Sequence, residues 1–274
     1  MENYLFLGGD KRIIYAAELI SQTNGVSAAG LGGDFPQPSG KYARIVLPLP
    51  FSRDGININA PLSEEAIPLD RIPEYAQVGG LVLAGGSSER MEKLCADNGL
   101  RLVNYFAGEE LTLKNALLTA EGAVSLLISE SDGSLFNSSV VITGYGRIAY
   151  YLAGLLRGFR CRVTITARSS VQRERAILDG FCALPASLAG LAAESADLII
   201  NTAPAELFSK DDFARMRKTA LYMELASKPA QPEKGYAEAA GIKHIMAAGL
   251  PGKFSPRTAG EAIAQAITAA ADRS

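Results

Sequence analysis

Gly144, Gly146 and Ala149 follow an apolar run at 140–143 with the spacing Gly-x-Gly-x-x-Ala. The first glycine permits a tight turn, the second lets the backbone approach a pyrophosphate, and the small alanine allows close helix–strand packing. A helix predicted at 150–157 would add N–H donors and a positive dipole. The motif predicts a dinucleotide site; the alternative is a tight turn in a domain that has lost its ligand. The predicted contacts are Gly144, Tyr145, Gly146, Arg147 and Ile148.

A cation and two hydroxyl groups follow the next predicted strand, 161–166, at Arg168-Ser169-Ser170. An NAD-binding domain normally places Asp or Glu there, where the carboxylate binds the ribose diol. Arg168, the two serines and Arg173 would instead bind a 2′-phosphate, which a carboxylate would repel. We therefore predict NADP(H) rather than NAD(H) as the cofactor. The alternative is a solvated helix start at which Ser170 is the N-cap.

Two proline-containing loops follow the predicted strands 197–201 and 220–225. In a parallel sheet, ligands bind outside the carboxyl ends of the strands. We therefore expect both loops to contact the nicotinamide half of the cofactor, although each could be only a connection that ends at proline. The residues assigned to these contacts are Thr202, Ala203, Pro204, Ala226 and Ser227.

Proton transfer has few candidates in this sequence, because its single histidine, His244, lies in an apolar run that is typical of a core strand. Acid–base chemistry would then depend on carboxylates, Lys228, tyrosine or the substrate itself. Glu121 precedes Gly122 within a helical pattern, where glycine costs about 1 kcal/mol relative to alanine. Such a glycine indicates that another element approaches the helix closely, which makes Glu121 a candidate site residue.

Four cations near predicted strand ends and crossovers could hold two carboxylates: Arg12, Arg53, Lys228 and Arg257. Arg257 begins a predicted helix after the rigid segment 249–256, and a helix start with an arginine suits a carboxylate. The alternative is a surface arginine on a capped helix. The candidate catalytic residues are Lys228, Glu121, Arg257, Arg12 and Asn115, and no metal-ligand spacing is found among the three cysteines.

The elements that must position these residues alternate between β-branched apolar runs and amphipathic segments, which is typical of parallel sheets covered by helices. The pattern predicts an α/β fold of two Rossmann-like doubly wound parallel-sheet domains, with a cleft between them and crossover helices linking them. The predicted division is a flavodoxin-like substrate and catalytic domain at 1–108, an NADP-binding domain at 109–256, and a helix at 257–274 that packs back on the first domain.

Composition narrows the classes of protein further. The chain has 274 residues, 48% of them hydrophobic, and a net charge of −2 with the two signs interspersed. This profile predicts a globular protein with no affinity for nucleic acid or membranes. The first ten residues lack the pattern of a signal peptide, and the alanine-rich stretch 258–271 is short and interrupted by polar residues, so we expect a cytoplasmic protein with reduced, buried thiols.

Several motifs in this order resemble those of the dipicolinate synthase family, in particular its nucleotide-binding A subunits. They are Leu7-Gly-Gly-Asp10, Pro48-Leu-Pro50, Asn115-Ala-Leu-Leu-Thr-Ala-Glu121-Gly122, the glycine motif above, Asn201-Thr-Ala-Pro204, Leu225-Ala-Ser-Lys-Pro229 and Gly249-Leu-Pro-Gly252. The resemblance covers nearly the whole chain. One departure is Glu224, at a position where the family usually has aspartate.

The resemblance implies a sporulation enzyme that oxidises a cyclic dicarboxylate of the lysine branch, a hydroxy-tetrahydrodipicolinate or its dihydro product, to dipicolinate. It also implies a partner, the flavoprotein-like B subunit of dipicolinate synthase, a location in the mother-cell cytoplasm, and a homo-oligomer. Water elimination would precede hydride transfer, with Lys228 or Glu121 moving protons while Arg257 and Arg12 orient the acid groups. Alternatives are a relative of the 2-hydroxyacid dehydrogenases or adenosylhomocysteinase, and a regulatory protein that senses NADP(H).

Overall fold

Two compact units make up the chain, and the computed structural model describes residues 2–226 and 231–274 of them. Unit 1 contains residues 1–115 and 255–274, and unit 2 contains residues 116–254. Each unit is an α/β domain built on one sheet, and its described strands pair in parallel. The predicted class of two parallel-sheet α/β domains is confirmed. The units divide inside a long helix, whereas the boundary proposed from sequence falls just before it.

Unit 1 has a five-stranded sheet in the order β2-β1-β3-β4-β5. Its strands are β1 (Asn3–Leu7), β2 (Gly25–Ala29), β3 (Tyr42–Val46), β4 (Ala76–Ala84) and β5 (Arg101–Asn104). Its helices are α1 (Lys11–Ser21), α2 (Ile72–Tyr75), α3 (Glu89–Asp97), the first turns of α4 (Glu109–Glu130) and α11 (Pro256–Asp272). Parallel neighbours need crossover connections, and these helices supply most of them while covering the apolar faces of the sheet.

The last helix, α11, packs against α1 within unit 1. Gly260 makes this approach possible, because a Cβ at that position would lie 2.5 Å from the backbone oxygen of Arg12 and 2.6 Å from the Cβ of Tyr15. Ile263 and Ile267 on the same helix are fully buried in the core of the unit. Residues from the two ends of the chain therefore share one hydrophobic core.

Unit 2 has a six-stranded sheet in the order β11-β10-β9-β6-β7-β8. Its strands are β6 (Ser139–Thr143), β7 (Arg162–Ala167), β8 (Cys182–Pro185), β9 (Leu198–Asn201), β10 (Leu221–Glu224) and β11 (Lys243–Met246). Its helices are the rest of α4 with α5 (Arg147–Gly158), α6 (Ser170–Leu178), α7 (Ala189–Ala193), α8 (Lys210–Arg215), α9 (Gln231–Ala239) and α10 (Leu250–Phe254). The strand order reverses between β6 and β9, and in doubly wound folds the ligand binds at such a switch point.

The helix α4 crosses α10 at Gly122, where a Cβ would lie 2.8 Å from the Cβ of Leu250. The close approach predicted from this glycine is therefore confirmed. Among the described helices, α4 alone is long and apolar enough to cross a membrane by length and composition, and half of that apolar window is buried inside the protein. The core helix of a soluble protein has the same properties, so this test is weak evidence for a membrane span.

Candidate dinucleotide-binding site

The turn after β6 has the geometry that its glycines predict. Gly144 has φ +80°, a left-handed conformation that glycine adopts without strain. Its N–H donates to the carbonyl oxygen of Thr166 at 2.7 Å, and a Cβ there would lie 3.1 Å from the Oγ1 of Thr202. The backbone at Gly144 is thus pressed between the ends of two neighbouring strands, β7 and β9.

Gly146 is the N-cap of α5 and leaves the start of this helix open. It has no side chain to accept the N–H groups of the first turn, and no described atom lies within 4 Å of the place where its Cβ would be. Ala149 is completely buried where α5 packs on the sheet. An open helix N-terminus beside a glycine is a ready anion site, so the structure fits a phosphate group here.

The side chain of Tyr145 turns away from this opening into the domain. It is 6% exposed, its hydroxyl donates to the Oδ2 of Asp179 at 2.7 Å, and its ring contacts that of Phe181 edge-on. Burial, with the Asp179 hydrogen bond as a further cause, raises the pKa of the Tyr145 phenol well above its usual range. At position 145, therefore, only the backbone remains available to a ligand, and the side chain anchors the loop from behind.

The segment after β7 divides its predicted roles among different side chains. Arg168 is exposed, and its guanidinium has no partner among residues 2–226 and 231–274. Arg173 instead turns back, and its Nη1 donates to the carbonyl oxygens of Ala167 and Arg168, both at 2.9 Å. The helix cap predicted at Ser170 is one residue earlier: Ser169 accepts the N–H of Gln172, and Ser170 is the first residue of α6.

The loop after β9 lies beside the glycine turn and is held there by its own backbone and hydroxyl. Thr202 donates from its Oγ1 to the carbonyl oxygen of Thr143 at 2.6 Å, and the N–H of Ala203 donates to the Oδ1 of Asn201 at 3.0 Å. Pro204 is exposed. After β10, the N–H of Ala226 donates to the Oε1 of Glu224 at 2.8 Å. The remaining residues proposed in that loop, Ser227 and Lys228, lie outside the described residues.

A buried row of polar side chains, which was not predicted from the sequence, lies beneath both loops. Thr143, Asn201 and Glu224 are the last residues of β6, β9 and β10, and they pair in register. They are 0%, 0% and 2% exposed. The available signal was a polar residue ending each of three otherwise apolar strands. The histidine considered above, His244, is half-buried on β11 and stacks on the Tyr222 ring at 5.4 Å.

The other candidate catalytic residues have very different environments. Arg12 is buried and pairs with Asp10, with its Nε and Nη2 each donating to that carboxylate. It also donates to the carbonyl oxygen of Leu49 at 2.5 Å. Its charge is therefore compensated inside unit 1, which shifts its proposed role from holding substrate towards bracing the loops after β1 and β3.

Arg257, Asn115 and Arg53 belong to unit 1, whereas Glu121 belongs to unit 2. Arg257 is exposed at the start of α11, and its Nε lies 3.9 Å from the Oε1 of Glu261. Arg53 and Glu121 are exposed, and Asn115 is half-buried. These positions leave the three charged side chains accessible to a small molecule, and their assignment as substrate residues stays a prediction.

Comparison with known families separates the same two regions of the chain. Residues 3–106 match the family of N-terminal domains of the dipicolinate synthase A subunit. Residues 125–251 match the family described as "D-isomer specific 2-hydroxyacid dehydrogenase, NAD binding domain". The second match contains the glycine turn, the segment with Arg168 and both loops at the strand ends.

Similar proteins carry the same name as the first of these families. The dipicolinate synthase A subunit of Bacillus subtilis (strain 168) is 29% identical over 200 residues, which are 73% of this chain and 66% of that protein. The crystal structure of its counterpart from Bacillus halodurans has a TM-score of 0.88, with 24% identity over 98% of this chain and 97% of the other. That of the Bacillus subtilis protein has a TM-score of 0.84, with 24% identity over 99% and 96%.

The fold and the open helix N-terminus define a two-domain α/β protein with a dehydrogenase-type nicotinamide dinucleotide-binding domain. Within that class, the predicted resemblance to the A subunits of dipicolinate synthase is confirmed. The likeness to the two crystal structures concerns the fold, and the match to the Bacillus subtilis relative covers slightly less than two thirds of that protein.

Proposed function

We propose that this protein is the nucleotide-binding subunit of a dipicolinate synthase, an oxidoreductase that uses NADP(H) to oxidise a hydroxy-tetrahydrodipicolinate or its dihydro product to dipicolinate. The observation that carries the proposal is the combination of the two family matches in one chain, since a dipicolinate synthase N-terminal domain precedes a dehydrogenase-type nucleotide-binding domain. The link to dipicolinate comes from the relatives, and the redox chemistry comes from the class of the second domain.

The residues of unit 2 fit a dinucleotide. The N–H groups at the start of α5 would bind the pyrophosphate next to Gly146, where the structure leaves space. Arg168, with Ser169 and Ser170, would bind a 2′-phosphate, because the guanidinium is exposed and β7 is followed by no carboxylate. A bound nicotinamide ring would supply the hydride acceptor. The loops at 202–204 and 226–227 would orient that ring.

The substrate residues follow from charge and accessibility. Arg257 and Arg53, both exposed, would hold ring carboxylates, and Glu121 or Lys228 would move protons. Aromatisation of the ring provides the driving force, so no histidine base is required. Replacing Lys228 or Arg257 with alanine should lower turnover at least tenfold, which corresponds to about 1.4 kcal/mol of activation free energy. Steady-state kinetics that are unchanged in both variants would contradict this assignment.

The partners and setting of the protein follow from the relatives alone. Their lettered name implies a further subunit of the same synthase, which we propose as the partner of this chain in a spore former's mother-cell cytoplasm. Homo-oligomerisation is a further expectation. Co-purification of the tagged chain with the B subunit from the same genome, followed by mass measurement of the complex, would test both associations.

A 2-hydroxyacid-type dehydrogenase is the second candidate function, because the nucleotide-binding region matches that family. A protein that senses NADP(H) without turnover is the third. Kinetic assays with 2-hydroxy acids distinguish the second candidate from the first. Tight nucleotide binding without turnover of any substrate, in the presence of the partner subunit, would favour the third.

Thermal unfolding with and without ligands gives the first test. NADPH should raise the unfolding temperature at far lower concentration than NADH, and dipicolinate should increase the effect, because a ligand that binds only the folded state stabilises it. A response to NADPH without one to dipicolinate would keep the cofactor and change the substrate. No response to either nucleotide would contradict the proposed function.

A further inference from the structure

Three buried side chains connect the loop after β9 to the loop after β10. The hydroxyl of Thr143 contacts the Oδ1 of Asn201, which also accepts the N–H of Ala203 at 3.0 Å. The Nδ2 of Asn201 donates to the Oε2 of Glu224 at 2.9 Å. The Oε1 of Glu224 accepts the N–H of Ala226 at 2.8 Å. One continuous chain of hydrogen bonds therefore begins under one loop and ends in the backbone of the other.

The donors and acceptors in this chain are matched in only one arrangement. The carboxylate of Glu224 can only accept, so the amide of Asn201 must direct its Nδ2 towards it. The Oδ1 of Asn201 then necessarily faces Thr143 and the N–H of Ala203. Because all three side chains are buried, a mismatch at any point leaves a polar group without a partner, which is costly away from water.

We propose that Glu224 is a positioning residue that, through Asn201, fixes the loops at 202–204 and 226–228 relative to one another. The inference rests on the proposed function, since these loops are assigned there to the nicotinamide and to Lys228. The geometry gives Glu224 no direct part in the reaction: it is 2% exposed and holds the backbone two residues before Lys228. A change in its hydrogen bonds should therefore alter both loops together.

A pair of substitutions tests the matching directly. Glu224→Gln places an amide nitrogen opposite the Nδ2 of Asn201, or forces the Asn201 amide to flip away from Ala203. Combining Glu224→Gln with Asn201→Asp restores a donor facing an acceptor. We expect the single variant to raise amide hydrogen exchange at least tenfold in peptides covering both 202–205 and 226–230. The double variant should return both to within about threefold of the parent protein.

Asp197→Asn is a matched control, because Asp197 lies just before the opposite end of β9 and binds Ser139 and Arg217. This change should lower the unfolding temperature and leave exchange in both loops unchanged. NADPH affinity gives a second readout: Glu224→Gln should weaken it at least tenfold, and the double variant should recover it. Should Glu224→Gln fail to fold, Thr143→Val should still raise exchange at 202–205.

Three results would overturn the proposal. These are an exchange rate at 202–205 that stays at the parent value in the variants, a rise confined to 226–230, or no recovery in the double variant. Hydrogen exchange requires no nucleotide. A protein that binds neither NADPH nor NADH would therefore contradict the proposed function, while the exchange data would still decide whether Glu224 couples the two loops.

Discussion

At the scale of single residues, the two arginines near the end of β7 show how neighbouring cations take different roles. Arg173 uses its Nη1 on two backbone carbonyls and fixes the turn, whereas the Arg168 guanidinium is exposed. Sequence reasoning assigned both to the 2′-phosphate. The structure leaves Arg168 as the better candidate for direct contact, with Arg173 holding the backbone that carries it.

Arg168→Ala should therefore weaken NADPH binding while leaving NADH binding almost unchanged. A hydrogen bond to a charged group contributes about 1.5–3 kcal/mol, which corresponds to roughly ten- to a hundredfold in the dissociation constant. Fluorescence titration of both nucleotides measures the ratio. Arg175→Ala, an exposed change on the same helix α6, is the control and should alter neither constant. Equal loss of NADPH and NADH affinity would argue against a phosphate contact.

The three thiols also differ, contrary to the expectation that all are buried. Cys95 and Cys161 are buried, but Cys182 is exposed at the start of β8. Burial raises the pKa of the Cys95 thiol to about 11 and also raises that of Cys161. At pH 8, iodoacetamide should label Cys182 alone, since the thiolate is the reactive form.

The raised thiol pKa values also give a pH dependence. Protonated thiols are favoured in the folded state, so this contribution to stability is complete below the unfolded pKa of about 8.5. It is lost as the pH rises through the folded value. Mass spectrometry of labelled peptides identifies the modified thiol, and rapid labelling of Cys95 in the native protein would contradict the burial described here.

At the scale of elements, glycines in helices have opposite consequences that depend on what lies beside them. Gly122 in α4 faces Leu250 at the crossing with α10, whereas a Cβ at Gly154 in α5 would meet nothing within 4 Å. Both positions would gain helix propensity from alanine, about 1 kcal/mol. The difference between the two substitutions therefore isolates the cost of the close approach.

Gly122→Ala should lower the free energy of unfolding, because overpacking typically costs about 1–3 kcal/mol and exceeds the gain in propensity. Gly154→Ala should raise it by up to about 1 kcal/mol. Urea denaturation of the two variants beside the parent protein provides the measurement. A stabilised Gly122→Ala protein would mean that α4 and α10 separate easily at this point.

Most elements, and the glycine turn, were predictable because their signals are local. An apolar run, a turn residue and a helical pattern each occupy a few consecutive positions, as at Gly144 and Gly146. The row of Thr143, Asn201 and Glu224 was not predicted, because it depends on strand register between segments 58 and 23 residues apart. Arg12 was assigned to substrate because its sequence shows a charge but not the fit of Asp10 around it.

At the scale of the whole molecule, unit 1 is assembled from two separated stretches of the chain. The helix α11 completes its core, although the preceding residues belong to unit 2. Ending the chain after Phe254 should therefore destabilise unit 1 and spare unit 2. We expect calorimetry of the shortened protein to lose the transition of unit 1 and to retain one that NADPH raises. Loss of the NADPH response would show that unit 2 depends on α11.

The order in which a ribosome makes this chain differs from the order in which its units can be finished. The first 115 residues emerge long before 255–274, so the face of α1 that receives Gly260 stays uncovered during synthesis of all of unit 2. Domains generally fold as units during translation, beginning with the N-terminal one. In this protein the nucleotide-binding unit is the first whose residues are all available, and the nascent unit 1 must avoid misassociation until the last helix arrives.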